Sequence, residues 1–257
     1  MNRNAFTSLI LVLGFALVAL GQTAEPNPVR DLLDKAEAAH DANDFTKTMQ
    51  LLQQAEKLEP NNPEILWKIA RGHFDFADQK PDDEEWRKEH LYPGFEKAKK
   101  ALELDDNSAG AHKWYAILIG QIGELEGTKQ KITNSYPMKE HTMRAIELDP
   151  DDASNYHVMG RWHFALADLS WIERQVASII YATPPAASFK EALNYFKKAH
   201  ELDPEDLRNV LYIGKCYEEL DDEEKAAEYL RKTLNMKAVT DSDRAIQKEA
   251  QEALDDL

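Results

Sequence analysis

Cysteine is nearly absent from this chain of 257 residues: Cys216 stands alone. A lone cysteine cannot close a disulfide within the chain, so packing must supply the stability, and Cys216 itself reads as a small buried helix residue. Glycine and proline are scarce, at 10 and 11, and no stretch alternates apolar and polar residues as a half-buried strand does. Ala, Glu, Leu and Lys dominate instead, a mixture that favours helix. No Gly-rich phosphate loop, no nucleophile elbow and no HExxH occurs, and the acidic spacing of a calcium loop is missing. The eight histidines form no metal-ligand set by spacing, and no cofactor is expected. Positive charge is also short, with 31 Lys and Arg against 47 Asp and Glu and a net charge of -16. Such a surface repels nucleic acid, which is excluded as a partner, and an enzyme is not expected.

The first 21 residues differ from the rest. Arg3 is the one charge before Glu25, Ala5 to Leu20 is almost continuously apolar, and Ala19 and Gly21 stand at the -3 and -1 positions of a cleavage site. This layout predicts a signal peptide or an N-terminal membrane anchor over 1–21, a short linker over 22–28 and a repeat domain over 29–257. With Arg3 before the apolar run and net negative charge after it, the expectation is a chain exported across a membrane or anchored in it, in the secretory pathway or the periplasm; the alternative is a membrane-anchored chain on the cytoplasmic face.

What is present in abundance is internal repetition. Four stretches end alike: Ala55 to Pro60, Ala101 to Asp106, Ala145 to Pro150 and Ala199 to Pro204. Upstream of each, apolar and Ala residues recur at helical spacing, as in Phe45, Met49, Leu52 and Ala55. The pattern resembles the tetratricopeptide repeat, a helix pair of about 34 residues. Repeats then begin near Val29, Pro63, Ala109, Ala153 and Leu207, and repeat position 8, where the paired helices touch, holds Ala36, Ala70, Ala116, Gly160 and Gly214. All five are small. The expected fold is all-α, a tetratricopeptide-type α-solenoid of about five helix pairs. The middle repeats are longer than 34, with extra residues near 78–92, 124–137 and 168–188. His73 and His163 occupy position 11 and read as structural.

Three signatures narrow the resemblance: Ala111 to Ile132, Lys139 to His141 leading into the third motif, and Trp171 to Phe196 with its Ala182–Pro185 ATPP. Together they resemble the regulator of microtubule dynamics family over roughly residues 40–235. The resemblance implies a helical-repeat fold without catalytic activity and association with microtubules. It also implies, for some members, a membrane anchor or the handling of phospholipid at membrane contacts.

In such arrays positions 5 and 9 of the first helix of each pair point into the groove. Position 5 holds Trp67, Lys113, His157 and Leu211, and position 9 holds Arg71, Ile117, Arg161 and Lys215. Four fixed cations and a histidine in an acidic protein mark a candidate anion-binding groove, with Arg71 and Arg161 capable of bidentate grip. The expected partner is a protein presenting an acidic or carboxylate-bearing segment, or a phospholipid. The competing reading is that these cations pair with carboxylates of neighbouring repeats. A second candidate is the insertion over 168–188, where Trp171, Ile172, Val176, Ile179 and Ile180 form an apolar stripe that either caps the neighbouring helices or roofs an apolar pocket.

Overall fold

A computed structural model describes residues 27–170, 174–175, 178–179 and 186–257. Within them the chain runs as successive antiparallel helices: α1 (Pro28–Asp41), α2 (Phe45–Leu58), α3 (Pro63–Asp78), α4 (Glu84–Leu104), α5 (Ala109–Glu126), α6 (Thr128–Leu148), α7 (Ala153–Ala167), α8 (Phe189–Leu202), α9 (Leu207–Glu218), α10 (Glu223–Asn235) and α11 (Asp241–Asp255). No strand occurs among the described residues. The fold is an all-α solenoid. Five helix pairs run from α1/α2 to α9/α10, and α11 closes the array as the first helix of a pair that is not completed.

The helices begin where the sequence places side-chain acceptors. Asn27, Asp44, Asn62, Asp83, Ser108, Asp152, Ser188, Asp206, Asp222 and Thr240 each accept a hydrogen bond from a first-turn N–H, and Pro28 and Pro63 open α1 and α3. The acidic runs at 82–85 and 221–224 therefore start α4 and α10, where carboxylates meet the positive helix end. The recurring motif explains the ends of the second helices. Ala55, Ala101, Ala145 and Ala199 are fully buried, and the carbonyl of each accepts from the N–H four residues on.

Two pairs are compact and the central ones are extended. In the first and last pairs a tight turn links the helices through Asn43 (φ 57) and Asp221 (φ 59), both at repeat position 15. Asp44 and Asp222 then donate their N–H back five residues, to Ala39 and Tyr217, closing the helix end. The additional residues near 78–92 and 124–137 are mostly helix. They extend α4 and α6 to 21 residues each, and Pro93 and Pro137 sit at the tenth position of each helix. A proline there removes one backbone hydrogen bond, yet the turns before it stay packed: Leu91 and Ile132 are fully buried. Gly94, next to Pro93, lets α4 close on α3; a Cβ there would come within 2.8 Å of His73 Cβ.

The core follows the pairs. Leu33, Leu52, Ile65 and Ile69 pack between the first two pairs, and Trp162 and Met159 anchor the fourth. Each large buried side chain contributes about 1.5–3 kcal/mol. Position 8 is a contact point, as Gly160 shows: a Cβ there would lie 2.6 Å from the Phe196 ring. No helix among the described residues is long and apolar enough to cross a membrane. The signal or anchor expected over 1–21 lies outside the described residues.

Candidate functional site

The first helices of successive pairs touch one another, α3 with α5, α5 with α7 and α9 with α11, whereas no two second helices make comparable contact among the described residues. The array therefore curves toward the first helices, and their shared face is the inner one. Position 5 of each lies against the start of the next first helix. The Trp67 ring covers Gly110, where a Cβ would come within 2.6 Å. Lys113 donates to Asp152 and, at 3.0 Å, to Ser154 Oγ. His157 Nδ1 lies 2.7 Å from Asn209 Oδ1. His157 is buried; burial first, then the nearby Arg208 and Arg161, push its pKa down to about 3, so it is neutral at physiological pH.

Position 9 forms a ladder through the whole array: Glu37, Arg71, Ile117, Arg161, Lys215 and Glu249. Its ends are closed ion pairs. Arg71 grips Glu37 through its two terminal guanidinium nitrogens, at 2.8 and 3.0 Å, and Lys68 reaches the same carboxylate. The Arg71 hydrogen bond outweighs burial and holds the Glu37 carboxyl at about 2. Lys215 donates to Glu249 at 2.7 Å. Burial alone would lower the Lys215 pKa, but Glu249 holds it raised. Arg161 differs. Its ladder neighbours are Ile117 and Lys215, and it has no carboxylate partner among the described residues. Its guanidinium lies over the Tyr212 ring at 4.5 Å, and Lys215 approaches the same ring at 5.5 Å. A cation on an aromatic face is stabilised while its N–H groups remain free for an anion.

The structure thus brings Arg71, Lys113, His157, Arg161 and Lys215 onto one face, with Trp67 as a packing residue. Arg71, Lys113 and Lys215 are satisfied by carboxylates of the adjoining repeat. Of the apolar insertion residues, Trp171, Ile172, Val176 and Ile180 lie outside the described residues, and Ile179 is 84% exposed.

Several residues of this face carry no motif signal. Tyr212 supports Arg161. Arg208 bonds its own helix cap, Asp206, and its charge acts to lower the pKa of Asp78 at the end of α3. Reading position 9 down the array, rather than one repeat at a time, is the signal that separates Arg161 from Arg71.

Elsewhere, half-buried His73 and buried His163 each have an unpartnered ring nitrogen, and desolvation lowers the pKa of both, to about 4 for His73. Cys216 is buried, which pushes its thiol up to about 12. Among the described residues Glu37, His40 and Asp41 have ligand atoms within 4.8 Å of one another, the one grouping of metal-donor type. Glu37 is already bound to two cations, which makes it a poor metal ligand. A small cleft of about 160 Å³ opens at the edge built by the extended helices, lined by Phe74, Ala77, Asp78, Pro81, Arg87, Leu91 and Gln121.

A family model described as regulator of microtubule dynamics protein 1-3 matches residues 32–257. Regulator of microtubule dynamics protein 1 of Bos taurus is 38% identical over 261 residues, covering 98% of this chain and 82% of its own. Regulator of microtubule dynamics protein 3 of Rattus norvegicus is 34% identical over 227 residues, covering 87% of this chain and 48% of its own. A thermophilic TPR protein of Thermus thermophilus shares the fold, with a TM-score of 0.61 at 13% identity over 88% of this chain and 98% of that one. These relatives correct one expectation. Export across a membrane, or anchoring in one, was inferred from 1–21, whereas the relatives are named as regulators of microtubule dynamics.

Proposed function

The chain belongs to the regulator of microtubule dynamics family, and from that premise we propose that it is a non-catalytic binding protein whose inner helical face holds a carboxylate-bearing segment of a protein partner. One observation carries the reading. Arg161 stands at the middle of the ladder without a carboxylate, supported on Tyr212, while Arg71 and Lys215 are closed on Glu37 and Glu249. An unpaired guanidinium on a concave face is presented to a ligand, and a carboxylate matches its fork in two parallel hydrogen bonds. The binding domain is residues 29–257.

The test is fluorescence anisotropy with a labelled glutamate-rich peptide. Arg161→Glu is expected to weaken binding at least tenfold with little loss of melting temperature, because it breaks no ion pair and loses only the contact with Tyr212. Equal affinity of the two proteins would remove the reading.

A second reading, association with microtubules, follows from the names of the relatives. At a net charge of -16 an acidic polymer is repelled at long range, so contact would depend on local cations such as Arg161. Co-sedimentation with polymerised tubulin checks it. Pelleting that Arg161→Glu abolishes joins the two readings; no pelleting at physiological salt eliminates this one.

A further inference from the structure

The ring beneath Arg161 carries an unused donor of its own. Phe196 stacks on Tyr212 with ring centres 5.0 Å apart, and His157 and Phe164 pack at right angles to it, so the ring is fixed by the core. Arg161 and Lys215 lie over it at 4.5 and 5.5 Å. Its hydroxyl, however, reaches solvent and makes no hydrogen bond among the described residues. Other tyrosines of the last two pairs differ: Tyr156 donates to the Pro150 carbonyl at 3.0 Å, and the Tyr217 hydroxyl accepts from Lys197 at 2.8 Å. The two cations over Tyr212 share a single carboxylate, since Lys215 is closed on Glu249 and Arg161 on nothing. They repel each other, and the charge of Arg161 acts to lower the Lys215 pKa. An incoming anion relieves that repulsion. With the guanidinium 4.5 Å over the ring centre, it stands about 5 Å from the phenol oxygen, a span that one carboxylate bridges by accepting from an N–H at one oxygen and from the O–H at the other.

Resting on the reading of Arg161 as an open anion site, we propose that the groove recognises its segment through a single carboxylate, which accepts hydrogen bonds from the Arg161 guanidinium and the Tyr212 hydroxyl together. The other cations of the face, Arg71, Lys113 and Lys215, are closed on Glu37, Asp152 and Glu249, so a second acidic residue finds no open partner among them. A net charge of -16 repels every surplus carboxylate. The ligand that fits is a segment with one glutamate or aspartate among neutral residues, not an acidic run.

Anisotropy of the full chain with two labelled peptides of equal length tests this, one glutamate-rich and one with a single glutamate among serine and alanine. The single-glutamate peptide is expected to bind at least as tightly as the rich one, and its glutamine counterpart at least tenfold more weakly. Tyr212→Phe keeps the ring under Arg161 and removes only the hydroxyl. It should weaken the single-glutamate peptide about tenfold, the loss of one hydrogen bond to a charged group, with the melting temperature unchanged. In an Arg161→Ala background the same change should cost less than about threefold, because the carboxylate is no longer held beside the hydroxyl. If Tyr212→Phe binds as wild type while Arg161→Glu weakens binding, the hydroxyl takes no part, and the proposal is overturned with the groove reading intact. A glutamate-rich peptide that binds tenfold more tightly than the single-glutamate one overturns it as well, since several carboxylates would then be read. If Arg161→Glu leaves binding unchanged, both readings fall together.

Discussion

Arg71 and Arg161 occupy the same repeat position on the same inner face, yet they are in opposite states. Arg71 is nearly buried, at 12% side-chain exposure, and locked in a bidentate pair with Glu37, while Arg161 rests on Tyr212 with no carboxylate near it. The difference is not in the arginines. It lies one repeat back, where position 9 is Glu37 in one case and Ile117 in the other. A repeat array therefore does not assign a role to a position; the neighbouring repeat decides whether a charge is structural or available.

Removing Glu37 should give the largest effect. Lys68 and Arg71, at 9% and 12% side-chain exposure, would share a site with no counter-charge. Breaking a buried pair from one side costs about 3–5 kcal/mol, but Glu37 is 39% exposed, so about 1–3 kcal/mol is expected for Glu37→Ala by chemical denaturation. A change below 0.5 kcal/mol would show that this end of the ladder is not closed.

Acid should reveal the same pair. A carboxylate held at about 2 in the fold, against 4.5 ordinarily, stabilises the fold above about pH 4.5, and that stability is lost as pH falls from there toward 2. Solvent screening at a partly exposed group limits the amount to about 1–2 kcal/mol. His73 and His157, held neutral by burial, also weaken the fold as pH drops below their ordinary 6.5. The measurement is therefore the difference between wild type and Glu37→Gln from pH 6 to 3. It should shrink steadily below 4.5; a constant difference would place the Glu37 pKa near its ordinary value.

Arg161→Ala is the counterpart to Glu37→Ala and should lower stability by no more than about 0.5–1 kcal/mol, since a cation–π contact at a partly solvated site is the main interaction lost. A loss above 1 kcal/mol would mean that Arg161 is as structural as Arg71.

The fold was legible in the sequence because its signals are local. Ala55, Ala101, Ala145 and Ala199 mark four helix ends by themselves, and the small residues at position 8 mark the pair contacts. The extra residues near 78–92 and 124–137 stood out by length, but Pro93 and Pro137 hid that they continue α4 and α6 as helix. The site was half legible. Charge on the inner face followed from repeat position, whereas pairing depends on contacts between residues 34 or more apart, such as Arg71 with Glu37 and Lys113 with Asp152. The edge cleft had no motif at all: Asp78, Arg87 and Gln121 come from three different parts of the chain, and only Arg87 and Gln121 touch.

If the preceding repeat sets the role of position 9, the role can be transferred. Ile117→Glu places a carboxylate one repeat before Arg161, as Glu37 stands before Arg71. The new pair should contribute about 0.2–1 kcal/mol, offset by the lost contact of Ile117 with the cluster around Trp114 and Leu118, so net stability should hardly move. Binding of the glutamate-rich peptide should nevertheless fall toward the Arg161→Glu level, because the guanidinium is occupied from within. The double variant Ile117→Glu with Arg161→Ala distinguishes this from simple repulsion: if repulsion alone acts, adding Ile117→Glu weakens the peptide as much in the Arg161→Ala background as in wild type. If occupation acts, its effect is largely gone once Arg161 is removed. An Ile117→Glu protein that still binds as wild type would show that position 117 does not reach Arg161, and the difference between Arg71 and Arg161 would then need another cause.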